Sequence, residues 1–448
     1  MLLQAACFAT VGGRGRALTA LSGLAQGGWS RPKRASARCH PTVSLGARPP
    51  PAPGRTEPMP TTTLARPRSP LIGWLAVTSL MLGIFAIVTS EILPIGLLTA
   101  IGADFGISDG TTGLTMTLPG IVAAVAAPTV TLTTARLDRR VMLCALMAVL
   151  AVADVLAAVA TSYWIMLISR ALVGLTIGGF WSIGAGLAAR LMPPHAVGTA
   201  TAVIFSAVPL GSVLGVPAGT FIGDLAGWRT AFLVLAVLAL LVLAALTLLL
   251  PPLPAHQVTR PRVLLDLLRT RGAAIALLAT FLIVLAHFGT YTYVTPFLQN
   301  VTGLPPAAVS AILLAYGVAG IVGNFLAGKG TATPRTAFVI CGFLIAVTTL
   351  LLPSVGGTTI GAVMSLVVWG LAYGGVPVCS QASFIAAAPH TPEAATVVFT
   401  SSFQATFALG AFLGGRVVDA FSVSTVMICG GLTALLMAAS LWSLGKPR

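Results

Sequence analysis

From residue 71 to the C-terminus, apolar stretches of roughly 20 residues alternate with short polar breaks. That is the length a helix needs to cross the hydrocarbon of a bilayer, where only helices and closed barrels satisfy their own backbone polar groups. Twelve such stretches can be counted, at about 72–96, 111–133, 141–160, 163–188, 199–222, 230–251, 273–297, 307–328, 336–353, 359–384, 396–415 and 425–444. The expectation is an all-α integral membrane protein. Composition agrees, since 56% of the 448 residues are hydrophobic and 8% are charged, against about a quarter charged in a soluble chain.

The 25 basic and 10 acidic residues give a net charge of +15. Ten of the basic ones (Arg14, Arg16, Arg31, Lys33, Arg34, Arg38, Arg48, Arg55, Arg66 and Arg68) fall in residues 1–70, a stretch rich in Arg, Pro, Gly and Ser whose only acid is Glu57. Such a composition cannot bury enough surface to offset ordering entropy, so this stretch reads as a disordered basic tail. It fits either a transit peptide or an upstream start, with Met59 opening the protein proper. With the excess charge in the tail and no basic groove interleaved with aromatics, nucleic acid is not an expected partner. Six cysteines without CxxC spacing argue against a disulfide framework or a zinc site, and no metal ligand set stands out.

If the N-terminus is cytoplasmic, Arg136, Arg139, Arg140, Arg190, Arg260, Arg262, Arg269, Arg271, Lys329, Arg335, Lys446 and Arg448 lie inside, and only Arg229 and Arg416 lie outside. Positive charge is retained on the cytoplasmic side, so an even number of spans with both termini inside is expected, in a bacterial inner (plasma) membrane. The longest break, 252–272, is Pro-led, carries four arginines and divides the chain into six-span halves at 71–251 and 273–448. Segments recur across it. Gly174-Leu-Thr-Ile-Gly178-Gly179 returns as Gly370-Leu-Ala-Tyr-Gly374-Gly375, an offset of 370 − 174 = 196. Gly215, Gly219 and Asp224 return as Gly410, Gly414 and Asp419, an offset of 195. One glycine pattern is ordinary helix packing, but two at one offset on equivalent spans indicate a duplicated six-helix unit. Two such bundles related by an axis along the membrane normal describe the major facilitator fold, with solute held between the halves.

Individual motifs point the same way. Arg170-Ala-Leu-Val-Gly174 resembles the span 4 motif of major facilitator transporters. Gly211-Ser-Val-Leu-Gly215-Val-Pro217-Ala-Gly219, followed by Gly227-Trp228-Arg229, resembles the span 5 signature of the twelve-span drug:proton antiporter branch. Ser90-Glu91-Ile-Leu-Pro94-Ile-Gly96, Gly178-Gly179-Phe180-Trp181-Ser182 and Ala286-His287-Phe288-Gly289-Thr-Tyr291-Thr-Tyr293 are similar to bacterial sugar-efflux permeases and purine-ribonucleoside exporters of that branch. The likeness implies alternating access by rocking of the halves. The loop Ala135-Arg136-Leu137-Asp138-Arg139-Arg140 departs from the family by lacking the glycines around its Asp-Arg core. By resemblance, Asp138, Arg139 and Arg140 hold the halves together on the cytoplasmic side of the outward-facing state. Gly211, Gly215, Pro217 and Gly219 would provide close contact and a kink used in switching.

Intramembrane charge is costly and marks function. Glu91 in span 1 is a candidate proton-binding carboxyl or substrate ligand, with an interfacial acid as the alternative. Arg170 needs a permanent partner or water, and Glu91 is one possible partner; its counterpart in the second half is Leu366 (170 + 196). Asp154 in span 3 offers a second proton site or an interhelical hydrogen bond. His287 and Tyr291 share a helix face, and with Tyr293, Trp181, Asn324, Gln381 and Gln404 they could line a cavity for a ring-bearing or hydroxylated solute, or simply pack.

A secondary transporter that exports a sugar, nucleoside or drug in exchange for protons is the leading expectation, with the proton gradient as energy source and no cofactor. A proton-independent uniporter or exchanger is the alternative. No HExxH, paired-aspartate or Ser/His arrangement supports an enzyme, no polar rings support a channel, and no Walker A motif supports ATP.

Overall fold

The computed structural model describes residues 70–133, 137–184, 187–193, 195–253, 270–329, 334–387 and 392–444. Residues 1–69, Arg136, most of the expected 252–272 divide and the C-terminal Lys446 and Arg448 lie outside them. All twelve expected spans are helices: α1 (Leu71–Phe105), α2 (Asp109–Val130), α3 (Arg139–Ala158), α4 (Tyr163–Trp181), α5 (Val197–Ala226), α6 (Trp228–Leu249), α7 (Arg271–Asn300), α8 (Pro306–Ala327), α9 (Arg335–Val355), α10 (Thr359–Ala387), α11 (Val397–Ala420) and α12 (Val423–Leu444).

They form two pseudo-symmetric six-helix bundles, and the helix starts carry the repeat. Asp109 pairs with Pro306 (306 − 109 = 197), Arg139 with Arg335 (196), Tyr163 with Thr359 (196) and Trp228 with Val423 (195). The repeated glycines do the same work in each half. A β-carbon at Gly174 or Gly178 of α4 would strike Pro119 or Ala123 of α2, and one at Gly370 or Gly374 of α10 would strike Tyr316 or Gly320 of α8. Close backbone approach thus explains why both positions are glycine. The α3 start is tied to the segment just past α6, by Arg139 N to Leu253 O at 2.9 Å, and the α9 start to α12, by Arg335 Nη2 to Leu441 O at 2.9 Å.

Two elements differ from expectation. α1 runs nine residues past its expected end (105 − 96 = 9), because Ile101 is buried against neighbours and the chain turns only at Gly106, whose φ of +64° favours glycine. α7 continues to Asn300, with its regular segment broken after Tyr291. In α5 the five residues Gly211–Gly215 are π-helical just before Pro217, which has no amide to offer the preceding turn. A β-carbon at Gly215 would lie 2.8 Å from Thr89 Cγ2, so α5 lies directly on α1.

The halves meet at the end carrying the α1–α2 turn. There Asp419 of α11 accepts from Ser108 Oγ at 2.8 Å and from the Gly110 amide at 3.0 Å. Thr295 Oγ1 of α7 donates to Ile95 O of α1 at 2.8 Å. Ile95, Leu98, Met116 and Val216 of the first half join the large apolar core of the second. Gly110 and Gly113 are packed so closely on Gly415 and Tyr293 that a β-carbon would collide. Arg229 braces the same end, pairing with Asp104 at 2.6 Å, donating to Ala160 O at 2.8 Å and stacking on Trp228.

Candidate functional site

α1 places two neighbouring residues on different faces. Glu91 looks across to the second half and is 9% exposed, with Gln404 Nε2 of α11 donating to its Oε1 at 2.9 Å. Ser90, one residue earlier and so about 100° around the helix, looks into the first half. Its hydroxyl donates to Asp154 Oδ1 of α3 at 2.6 Å. Its carbonyl accepts from Arg170 Nη1 of α4 at 2.8 Å. Arg170 Nη2 lies 3.5 Å from Asp154 Oδ1 and donates to Ser169 Oγ at 3.1 Å, and the guanidinium rests over the Phe232 ring. Both ions are fully buried. Arg170 therefore pairs with Asp154 and not with Glu91, because Glu91 points away toward α11. Arg170 Nε and Asp154 Oδ2 have no hydrogen-bond partner.

In the second half His287 lies at the position equivalent to Glu91 (287 − 91 = 196). It is 1% exposed and sits in a nest of rings. Tyr373 stacks on it with centroids 3.3 Å apart, Tyr291 at 5.1 Å, and Trp369 stands edge-on at 5.7 Å. Trp369 Nε1 donates to His287 Nδ1 at 3.2 Å, so the imidazole accepts on Nδ1 and carries its proton on Nε2. Tyr291 stacks on Tyr316 at 4.5 Å, whose buried hydroxyl has no partner. Phe288 joins the nest to Phe403 and Phe407 of α11, the helix that carries Gln404. Glu91 lies within electrostatic reach of the Tyr373 phenol. A buried carboxyl of one half thus adjoins an aromatic wall of the other.

Of the residues expected from sequence, Glu91 and Gln404 come together, as do Asp154 and Arg170, and His287 with Tyr291. Tyr293 does not join them. It follows the break in α7, and its hydroxyl donates to Ala411 O at 2.7 Å, filling the contact between Gly113 and Gly415. Trp181 packs in the core of the first half, and Asn324 and Gln381 are half-buried on α8 and α10 and take no part in the nest. Asp138 caps α3, accepting from Arg140 N at 2.8 Å and from Leu253 N with both oxygens at 3.0 Å, while Arg140 Nη2 donates to Thr247 O. In this conformation the Asp-Arg loop fastens α3 to the end of α6 within one half.

Sequence reasoning missed Ser90, Tyr316, Trp369 and Tyr373. The last two are spaced i, i+4 on α10, like His287 and Tyr291 on α7, so the face rule that found one pair would have found the other.

The Major Facilitator Superfamily profile matches residues 80–402. The chain is 31% identical over 371 residues to the purine ribonucleoside efflux pump NepI of Escherichia coli (strain K12), covering 82% of this chain and 94% of that protein. The pump of the same name from Shigella dysenteriae serotype 1 (strain Sd197) gives the same figures. Among solved structures, the chain is similar to a bacterial homologue of the human lysosomal transporter Spinster in an inward-facing, occupied conformation, with a TM-score of 0.67, 15% identity, and coverage of 84% of this chain and 97% of that one. It is also similar to the human organic anion transporter MFSD10, with a TM-score of 0.63, 18% identity, and coverage of 84% and 100%. At those identities the likeness is one of fold.

Proposed function

We propose, from the premise that this chain belongs to the major facilitator superfamily of membrane transporters, that it exports a purine-ribonucleoside-like solute from a bacterial cell in exchange for protons, by alternating access. The observation that carries this reading is the meeting of Glu91 and Gln404 from opposite halves beside the ring nest of His287, Tyr291, Tyr316, Trp369 and Tyr373. A purine offers a flat π-face, and a face stacked on an aromatic side chain contributes about 1–3 kcal/mol. Ribose hydroxyls can donate to a carboxylate and accept from an amide. The similarity to purine ribonucleoside efflux pumps supports the same solute class.

Coupling follows from the single carboxyl. As a carboxylate, Glu91 accepts strongly from the Gln404 amide or from a solute hydroxyl; once protonated it accepts weakly. Proton and solute then compete for one group, which is what antiport requires. The same proton loosens the α1–α11 link. With the N-terminus in the cytoplasm, as the arginine distribution supports, the end sealed by Asp419, Tyr293 and Thr295 faces outward.

The test uses energised everted vesicles containing a pH probe and the protein, to which purine nucleosides, arabinose-type sugars and chloramphenicol-like drugs are added in turn. Proton release on nucleoside addition, absent in Glu91→Gln and in empty vesicles, is the expected result. Labelled nucleoside movement with no proton release replaces antiport by uniport or exchange, and release only with sugars or drugs moves the substrate class.

A further inference from the structure

The buried pair Arg170–Asp154 lies one residue from Glu91, and its geometry is not that of an ion pair formed for its own sake. An arginine facing a carboxylate ordinarily engages it through a two-pronged fork. Here Nη1 goes to the Ser90 carbonyl at 2.8 Å, only Nη2 approaches Asp154, at 3.5 Å, and Nε and Asp154 Oδ2 stay unpartnered. The guanidinium is placed by the carbonyl. The reason is four residues further on: position 94 is proline. In a helix the Ser90 carbonyl should accept from the amide of residue 94, and proline has none. In hydrocarbon an orphaned carbonyl costs heavily, and Arg170 supplies the missing donor. Asp154 balances the arginine and takes the Ser90 hydroxyl.

The second half supplies an internal control. By the 196 offset, Ser90, Pro94, Asp154 and Arg170 correspond to Ala286, Thr290, Leu350 and Leu366. Where the proline is absent, the serine hydroxyl, the acid and the arginine are absent together. Thr290 lies inside a regular helix, so its amide serves Ala286 O, and its hydroxyl donates to the same carbonyl at 2.8 Å.

We infer that Arg170 and Asp154 are positioning residues: a clamp that grips Ser90 at its carbonyl and its hydroxyl, splints α1 at the Pro94 break, and so holds Glu91 aimed at Gln404. Neither group carries the transported proton. This rests on the proposed role of Glu91, and it deepens that role.

The test is a rescue. Arg170→Lys keeps the charge beside Asp154 but has no planar fork to serve two acceptors. Labelled-nucleoside flux should fall about tenfold or more. Adding Pro94→Ala, which returns an amide to Ser90 O, should bring flux back to within about threefold of Pro94→Ala alone. The apparent melting temperature of the purified protein should follow the same order, and it needs no solute, so the clamp can be judged even if the nucleoside or antiport reading fails. A stronger version copies the second half: Pro94→Thr/Asp154→Leu/Arg170→Leu should keep both flux and proton release per solute. Absence of any rescue of Arg170→Lys by Pro94→Ala, in protein present in the membrane at wild-type amount, overturns the clamp. So does flux without proton release in the triple variant alone, since that would put the proton on Asp154. Should the triple variant fail to accumulate, the lysine rescue decides.

Discussion

Removing the Asp419 carboxylate should release the closed end of the molecule. Asp419 makes two bonds to the opposite half, from Ser108 Oγ at 2.8 Å and the Gly110 amide at 3.0 Å. A buried hydrogen bond to a charged group contributes about 1.5–3 kcal/mol. Asp419 is exposed, and solvent screening cuts each bond to about 0.5–1 kcal/mol. Asp419→Ala should therefore favour separation of α2 from α11 by about 1–2 kcal/mol, a shift of roughly 5- to 30-fold in the closed-to-open ratio. The neighbouring Asp109 carries like charge within electrostatic reach, so Asp419→Asn loses a repulsion along with the charge while keeping an oxygen for the Gly110 amide, and should change the ratio by only about twofold. Spin labels at the exposed positions 103 and 421, one on each half, measure the populations by pulsed electron resonance in lipid nanodiscs. Asp224, equivalent to Asp419 by the repeat (224 + 195 = 419), is exposed on α5, and Asp224→Ala serves as the control. An unchanged distance distribution in Asp419→Ala, or an equal change in Asp224→Ala, would refute the latch.

Two other substitutions follow from the geometry. Asp138→Ala loses the α3 cap and the tie to Leu253, worth about 1–2 kcal/mol; the apparent melting temperature in detergent should drop by a few degrees and Asp138→Asn should restore most of it, whereas an unaltered midpoint would leave the loop without this structural role. Tyr373→Ala removes the ring stacked on His287, and equilibrium binding of a purine nucleoside should weaken about 10- to 100-fold, with Trp369→Phe, which keeps the ring and loses only the donor to Nδ1, weakening it less; equal affinities in all three proteins would exclude the nest from the solute site.

The spans and the duplication were legible because they rest on rules that act along the chain: helix length in hydrocarbon, and the close approach that forces glycine at positions 174, 178, 370 and 374. The partners of the buried charges were not legible in that way. Span 1, span 3 and span 4 each offered an ionisable residue, and the sequence named Glu91 as a possible partner for Arg170 while leaving Asp154 as a proton site or an interhelical hydrogen bond. What separates them is rotation about α1, where one residue, about 100°, sends Ser90 to Arg170 and Asp154 and Glu91 to Gln404. Pro94 held the missing clue, since a proline inside an intramembrane helix announces a carbonyl in need of a donor. Tyr293 was grouped with His287 and Tyr291 as a residue of the same span, but α7 breaks after Tyr291 and the Tyr293 hydroxyl goes to Ala411 O.

The duplication also explains why the two halves diverged where they did. A rocking carrier needs the same packing on both sides of its axis, and the glycine contacts are kept on both. A single coupling site near that axis has no such need, because one group that changes charge is sufficient and a second would add another buried ion to desolvate. Among the described residues, the paired buried ions Asp154 and Arg170 lie in the first half with Glu91, while the position equivalent to Glu91 holds His287 within the ring nest of the second. On the function proposed above, the chemistry is split across the axis: one half supplies the carboxyl for the proton, the other the rings for the solute. Gln404, on the helix whose Phe403 and Phe407 touch that nest, is the residue through which the two can sense each other. Gln404→Ala should then weaken solute binding by the one amide donor it removes and, beyond that, raise the ratio of solute moved to protons released, a decoupling that simultaneous measurement of labelled nucleoside and vesicle pH would register. A variant that lost solute and proton movement in equal proportion would show that Gln404 serves binding alone.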